Sequence, residues 1–253
     1  MKLALVGYGR MGREVAALAE GLGHEVVARL DSAEEVRAGA ASALSGAEVA
    51  IDFTVPDAVV DNVAVLAKAG LDLVIGTTGW YDRVAEVREA VDATGVGLVY
   101  APNFSLGTYV LLQAARSLGR LLDPLREYDV HVLEEHHRRK LDHPSGTAIR
   151  LAETLVDALA RKHAWTPGPP DGVADPATIW VSSVRAGEIP GTHEVVAEGP
   201  HDRLVLRHEA RSRGGFAFGA VAAAEWVRGR KGVFTLEDFM ADRLGPADAE
   251  SGP

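Results

Sequence analysis

The densest run of reactive side chains is Glu134-Glu135-His136-His137-Arg138-Arg139-Lys140-Leu141-Asp142-His143-Pro144-Ser145-Gly146-Thr147. Histidine and lysine together offer proton donors and acceptors near neutral pH. The cations Arg138, Arg139 and Lys140 stand in a chain whose net charge is −10. A solvated basic face is the simplest reading of such a run. Here, however, it abuts Pro-Ser-Gly-Thr just before an apolar-periodic helix, so Ser145, Gly146 and Thr147 should present free N–H groups at a positive helix end. The chemistry this suggests is capture of a small carboxylate beside a proton donor. In a regular strand His136 and His137 would face opposite sides, so sharing a cleft requires the strand to end there. Four of the nine histidines fall between His131 and His143. As zinc ligands their spacing is wrong, with no HExxH and with adjacent histidines, so no metal is expected.

A second group can handle an anion. Gly7-Tyr8-Gly9-Arg10-Met11-Gly12 matches the dinucleotide fingerprint: the first Gly turns the chain, the second admits a pyrophosphate, and the third packs helix on strand. Asp31 lies nineteen residues beyond Gly12, close to the ~20 expected of an acid that binds adenosine ribose hydroxyls. Asp31 also reads as a helix N-cap before Ser32-Ala33-Glu34-Glu35, and the two roles are compatible. Asp52-Phe53-Thr54 and Gly76-Thr77-Thr78-Gly79 fall where a doubly wound sheet receives its ligand, although ordinary turns have the same composition.

The elements that must position these groups follow from periodicity. Leu3 to Val6, Glu25 to Leu30, Val49 to Phe53, Asp72 to Ile75 and Gly97 to Tyr100 read as strands. Met11 to Glu20, Val59 to Lys68 and Val84 to Thr94 read as helices between them. That alternation is the signature of a doubly wound parallel α/β sheet, Rossmann-like, over the first hundred or so residues. Beyond Pro102 the texture changes. Tyr109 to Leu122 and Ala148 to His163 read as helices, Glu127 to Glu134 as a strand, and Thr166 to Pro176 as a loop. Thr178 to Val184, His193 to Ala197 and Leu204 to Ala210 alternate as strands of an open, antiparallel or mixed sheet. Phe216 to Arg228 returns to helix, and Gly245 to Pro253 reads as a frayed tail.

Composition narrows the partners. A length of 253 residues, against ~150 per domain, allows one large domain or two small ones. The absence of Cys removes disulfides and thiolate chemistry and suits a reducing compartment, and the N-terminus shows no targeting pattern, so cytoplasmic residence is expected. With 36 acidic and 26 basic residues nucleic acid is an unfavourable partner. No apolar run approaches the ~20 residues of a membrane span.

Glu134-x-His136-His137-x-x-Lys140-x-Asp142-x-Pro144-Ser145-Gly146-Thr147-Ala148 closely resembles the signature segment of the dihydrodipicolinate (4-hydroxy-tetrahydrodipicolinate) reductases. Gly7 to Gly12, Asp52-Phe53-Thr54, Gly76-Thr77-Thr78-Gly79, Ala101-Pro102-Asn103-Phe104-Ser105 and Arg213-x-x-Phe216-Ala217-x-Gly219-Ala220 resemble family segments in family order. The resemblance implies a nucleotide domain over residues 1–104, completed by 214–253, and a substrate-binding and oligomerisation domain over 105–213, with hinges near Phe104 and Arg213. It implies NADH or NADPH as cofactor, a small dicarboxylate substrate and a homotetramer. By motif position His136 and Lys140 would be the catalytic pair. His137, Ser145, Gly146, Thr147 and Arg213 would contact substrate. Gly7, Tyr8, Gly9, Arg10, Met11, Gly12, Asp31, Gly76, Thr77, Thr78, Ala101, Pro102, Asn103 and Phe104 would contact cofactor. In the family, hydride reaches C4 of an unsaturated cyclic dicarboxylate and the adjacent carbon is protonated, in the diaminopimelate route to lysine. Two departures stand out: many relatives read GxxGRMG, one residue longer, and NADPH-preferring enzymes often carry a cation where this chain has Ser32. The competing readings are another two-domain NAD(P) oxidoreductase, such as a homoserine-dehydrogenase-like protein, and a nucleotide sensor without catalysis. The paired histidines and lysine argue against the sensor.

Overall fold

In the computed structural model, which describes residues 1–42, 44 and 46–245, the elements run in chain order as follows. They are β1 (Lys2–Val6), α1 (Arg10–Gly21), β2 (Glu25–Leu30), α2 (Ala33–Ser42), β3 (Val49–Asp52), α3 (Pro56–Lys68), β4 (Asp72–Ile75), α4 (Val84–Thr94) and β5 (Gly97–Tyr100). Then come α5 (Leu106–Leu122), β6 (Asp129–His136), α6 (Gly146–Ala158), β7 (Ala164–Pro167), β8 (Thr178–Arg185), β9 (Thr192–Glu198), β10 (Arg203–Glu209), α7 (Gly214–Val227), β11 (Gly232–Thr235) and α8 (Leu236–Leu244). The tail read as frayed lies, from residue 246, outside the described residues. No described helix is long and apolar enough to cross a membrane.

The chain separates into two units, Met1–Ser105 with the segment from Arg213 onward, and Leu106–Ser212. The first carries a six-stranded sheet in the order β11-β5-β4-β3-β1-β2, parallel throughout. Strands such as Leu3-Ala4-Leu5-Val6 are buried on both faces because helices cover both. Helix α7 carries one charged residue, Glu225, and its small residues Ala217, Gly219, Ala220, Ala223 and Ala224 let it lie against the sheet and α1. Strand β11 and helix α8 carried no clear sequence signal. Thr235 starts α8 with a reciprocal capping box to Asp238.

The second unit has a five-stranded sheet, β10-β9-β6-β8-β7. It is mixed: β8 pairs parallel with β6 and β7, whereas β9 pairs antiparallel with β6 and β10. Helices α5 and α6 pack with Val130, Val132, Ile179, Val181, Val195 and Ala197 in one core. The alternate residues of the same strands, among them Leu133, Trp180, Val196 and Val205, lie on the opposite face. The helix read as Ala148 to His163 stops at Ala158, although Leu159-Ala160-Arg161-Lys162 are all helix formers. Tertiary bonds override the propensity: the Asp123 carboxylate takes the Ala160 N–H at 2.8 Å, and buried Lys162 reaches Asp129 at 2.6 Å. Residues Ala164–Pro167 then form β7, so part of the segment read as loop is strand.

The glycine loop between β1 and α1 shows why each Gly is there. Gly7 has φ +83°, and a Cβ on it would sit 2.4 Å from the Phe53 carbonyl oxygen. A Cβ on Gly12 would sit 2.3 Å from the Gly7 carbonyl oxygen, whereas one on Gly9 would meet nothing within 4 Å. The first and last Gly are thus demanded by packing, and the middle one leaves its side open. Gly7→Ala and Gly12→Ala should each lower the free energy of urea unfolding by the ~1–3 kcal/mol of an overpacked site. Gly9→Ala should cost less than about 1 kcal/mol, the scale of a helix-cap exchange. Equal losses at all three positions would refute this division.

Candidate active site

In the second unit the site is built on the last turn of strand before the basic run. Strand β6 continues through His136, two residues past the sequence reading, and ends there, as a shared cleft for His136 and His137 required. Period-two alternation puts Glu134 and His136 on the helix-covered face, and both are buried. The Glu134 carboxylate binds His136 Nδ1 and accepts from Arg185 Nη2 at 2.7 Å and from the Ser145 N–H at 3.3 Å. Burial alone would raise its pKa, but hydrogen bonds from His136, Arg185 and Ser183 outweigh that and bring it to about 2. An ionised carboxylate can only accept, so His136 Nδ1 must carry hydrogen and Nε2 is left for chemistry. Beside that Nε2 lies Gly191, where a Cβ would sit 2.9 Å away.

His193 stands opposite Glu134 in the β6–β9 register. Its ring meets that of His136 edge-on at 5.1 Å, and its Nε2 lies 2.9 Å from Ser145 Oγ. Burial, and next the neighbouring His136, push its pKa down to about 3, so it is neutral at pH 7. Ser145 also caps α6, its Oγ accepting from the Ala148 N–H at 3.2 Å. The N–H groups of Gly146 and Thr147 are the first two of the helix and have no intrahelical acceptor. Glu134, His136 and His193 also bring one potential ligand atom each within 4.8 Å. The two oxygens of Glu134 are already committed to His136 and Arg185.

The loop from His137 to His143 is pinned on backbone bonds: His137 N–H to Ile189 O at 2.8 Å and Lys140 N–H to His137 O at 3.1 Å. Lys140 Nζ lies 2.8 and 2.9 Å from the two Asp142 oxygens, Arg139 pairs with Glu188, and Arg185 Nη2 also holds the Asp142 carbonyl at 2.7 Å. His137 Nδ1 is buried without a partner among the described residues. The structure therefore gathers His136, Ser145, Gly146 and Thr147 around Glu134 and His193, with Lys140 and His137 on the adjoining loop. Arg213 belongs to the other unit, just before α7. Sequence reading gave no role to Glu134, Arg185, Gly191 or His193. Only Glu134 had a local signal, its two-residue spacing from His136.

The first unit holds the residues expected to contact a nucleotide. Gly9 precedes α1 with no side-chain cap, so the first N–H groups of the helix, from Arg10 and Met11, are free for an anion. Asp31 at the end of β2 accepts the Tyr8 N–H at 2.9 Å. It is not the cap of α2: Ser32 Oγ accepts from Glu35 N–H at 3.1 Å, and the Glu35 carboxylate returns to the Asp31 N–H at 2.6 Å. Buried Asp52 ties two loops together, accepting from Thr54 N–H, Thr54 Oγ1, Asn62 Nδ2 and Thr77 Oγ1 at 2.7 to 3.0 Å. Gly76 lies against the Phe53 ring, where a Cβ would clash at 2.1 Å, and Trp80 Nε1 holds the Thr77 carbonyl at 2.8 Å. Thr78 and Pro102 are exposed, Asn103 is half-buried, and Ala101 and Phe104 are buried. An open glycine, free helix N–H groups and an acid at the end of the second strand fit a dinucleotide.

Two family models match the chain: dihydrodipicolinate reductase, N-terminus, over residues 1–104, and dihydrodipicolinate reductase, C-terminus, over residues 107–240. Curated relatives named 4-hydroxy-tetrahydrodipicolinate reductase include one from Christiangramia forsetii, 38% identical over 96% of this chain and 98% of that protein. Another, from Caulobacter vibrioides, is 39% identical over 95% of this chain and 97% of that protein. Among solved structures, the dipicolinate-bound dihydrodipicolinate reductase from Paenisporosarcina shares the fold at TM-score 0.74 and 24% identity, covering 94% of this chain and 98% of that one. Matching models over both units, and relatives aligned nearly end to end, lead to one conclusion: the chain belongs to the dihydrodipicolinate reductase family.

Proposed function

We propose that this chain reduces 4-hydroxy-tetrahydrodipicolinate with a nicotinamide cofactor, as its relatives' name states, and that His136 and Lys140 manage the proton. The observation that carries the reading is the juxtaposition of the Glu134–His136 pair with the capped start of α6. The cofactor, held by the Gly7–Gly12 loop and Asp31, supplies hydride when bound. The Gly146 and Thr147 N–H groups at the positive end of α6 receive one substrate carboxylate. His137, with its unpartnered Nδ1, is a further substrate contact, and Arg213 is assigned one on the family resemblance alone. His136 is held by Glu134 through Nδ1 with Nε2 free, and Lys140 keeps one donor beyond the two given to Asp142, so both can manage the proton that goes to the ring carbon adjacent to the one that receives hydride. Lys140→Ala and His136→Gln should each lower kcat by the 10²–10⁴-fold typical of a lost general acid. Calorimetry should find NADH affinity unchanged; a kcat that stays at wild type, or a loss of NADH affinity large enough to account for the lost turnover, would refute the assignment.

The buried histidine makes a separate expectation. His193 is neutral in the fold down to about pH 3 and has an ordinary value of 6.5 when unfolded, so unfolding takes up a proton between those values. Stability must therefore fall as pH drops below 6.5. Glu134 acts in the same direction at lower pH: its contribution is present above 4.5 and is lost as pH falls towards 2. Urea unfolding should show a loss of up to about 2 kcal/mol between pH 6.5 and 5, at ~1.4 kcal/mol per pH unit for one proton. His193→Asn should flatten that slope. An unchanged slope would show that His193 is not its source.

The same structure supports readings of assembly and of cofactor choice. The second sheet carries both helices of its unit on one face, and its other face has Trp180, Val184, Val196 and Val205 among ion pairs such as Arg203–Glu198 and Arg207–Glu194. That face is proposed to pair with other copies in a homotetramer, and light scattering showing a monomer at micromolar concentration would end the claim. Asp31 offers hydrogen-bond acceptors to ribose hydroxyls and repels a 2′-phosphate, so NADH should serve at least as well as NADPH. A wild-type kcat/KM about a hundredfold in favour of NADPH, ~2.7 kcal/mol, would show that Asp31 does not hold the ribose.

A further inference from the structure

We infer that Glu20 helps set nucleotide preference by holding Arg29 away from the adenosine end of the cofactor. Arg29 stands two residues before Asp31, on the same side of the strand end. It is the cation nearest in sequence to the ribose-binding acid, yet its guanidinium is turned back along β2. Nη2 lies 2.6 Å from Glu20 Oε1, Nη1 points to the Val26 carbonyl at 3.5 Å, and Nε donates to Tyr8 Oη at 3.2 Å. The guanidinium also stands 5.5 Å from the centre of the Tyr8 ring, whose backbone N–H is bound by Asp31. Glu20, in the last turn of α1, is therefore the charged anchor of a conformation in which Arg29 pairs with Glu20 and Asp31 has no ion pair among the described residues. Both side chains of the pair are about half exposed, at 41% and 52%, so the pair can exchange its partners.

Removing the Glu20 charge frees the guanidinium to swing toward Asp31. There it can offset the repulsion of a 2′-phosphate or bind the phosphate through its paired N–H groups. Ser32 cannot take a cation at no cost, because its hydroxyl caps α2. Releasing Arg29 is the route to NADPH that leaves this cap intact. The inference rests on the reading that Asp31 receives the adenosine ribose.

The test is calorimetric titration of the full chain with 2′,5′-ADP and with 5′-ADP, which needs no turnover. Wild type, Glu20→Gln, Arg29→Met and the double variant are compared, with thermal unfolding to verify that each folds and Glu20→Ala as a second release variant. Glu20→Gln should bind 2′,5′-ADP five- to tenfold more tightly and 5′-ADP within twofold of wild type. The double variant should lose the gain, because it has no guanidinium to release. No gain in either Glu20 variant would overturn the inference, as would a gain that survives Arg29→Met, since that is charge removal alone. The Asp31 reading is judged by a different number, the wild-type ratio of the two affinities. A wild type that already prefers 2′,5′-ADP counts against Asp31, while the change on releasing Arg29 still decides the role of Glu20.

Discussion

The second unit is organised by one buried carboxylate. Glu134 has no exposed surface, and an ion in that position is tolerated only if its lone pairs are filled. The fillers come from four places: His136 on the same strand, Arg185 at the end of β8, Ser183 beside it, and the Ser145 N–H before α6. Satisfying Glu134 therefore fixes where β6, β8 and α6 meet. It also fixes which nitrogen of His136 carries hydrogen, because a carboxylate accepts and cannot donate. Ser145 extends the same arrangement to His193, whose neutrality follows from its burial and from the neighbouring His136.

The first unit solves the same problem without a cation. Asp52 is fully buried, and its hydrogen-bond partners are a backbone N–H, two hydroxyls and an amide. These donors belong to the segments after β3 and β4 and to α3, so one carboxylate sets the relative positions of Thr54 and Thr77 at the carboxyl ends of two strands. An arginine there would satisfy Asp52 with fewer groups and would leave each loop free to take its own position. Spreading the bonds over neutral donors makes Asp52 a coupling between loops.

The legible part of the sequence was the part encoded locally. The strands of the first sheet are continuous apolar runs bounded by turns, and the start of α6 is a serine before an apolar-periodic helix; both signals lie within a few residues. What escaped depends on pairing across the chain. His193 lies 48 residues from Ser145 and Arg185 lies 51 from Glu134. Nothing in their neighbourhoods distinguishes a buried histidine or a half-buried arginine from ordinary strand residues. The early end of α6 was hidden for the same reason, since Asp123 lies 37 residues from the N–H that it takes. Asp31 was misread in one of its two roles because Ser32, one residue on, is the cap, an offset within the uncertainty of any helix boundary.

Charge pairing separates the cations in and around the basic run by what each can do. Arg139 is matched to Glu188 in the open, Lys140 to Asp142, and Arg185 to Glu134. Asp142 is 60% exposed, whereas Glu134 is wholly buried. An exposed pair is worth ~0–1 kcal/mol, so the bond between Lys140 and Asp142 can be exchanged at little cost. Breaking a buried pair by removing one partner typically costs ~3–5 kcal/mol, so Arg185 stays with Glu134 whatever binds. The guanidinium serves as a fixed part of the frame, also holding the Asp142 carbonyl, and the lysine it positions indirectly through Asp142 is the exchangeable charge. This division lets positive charge gather in an acidic chain: the arginine that the frame needs is paired inside with Glu134, and Lys140 is paired with a carboxylate that water reaches.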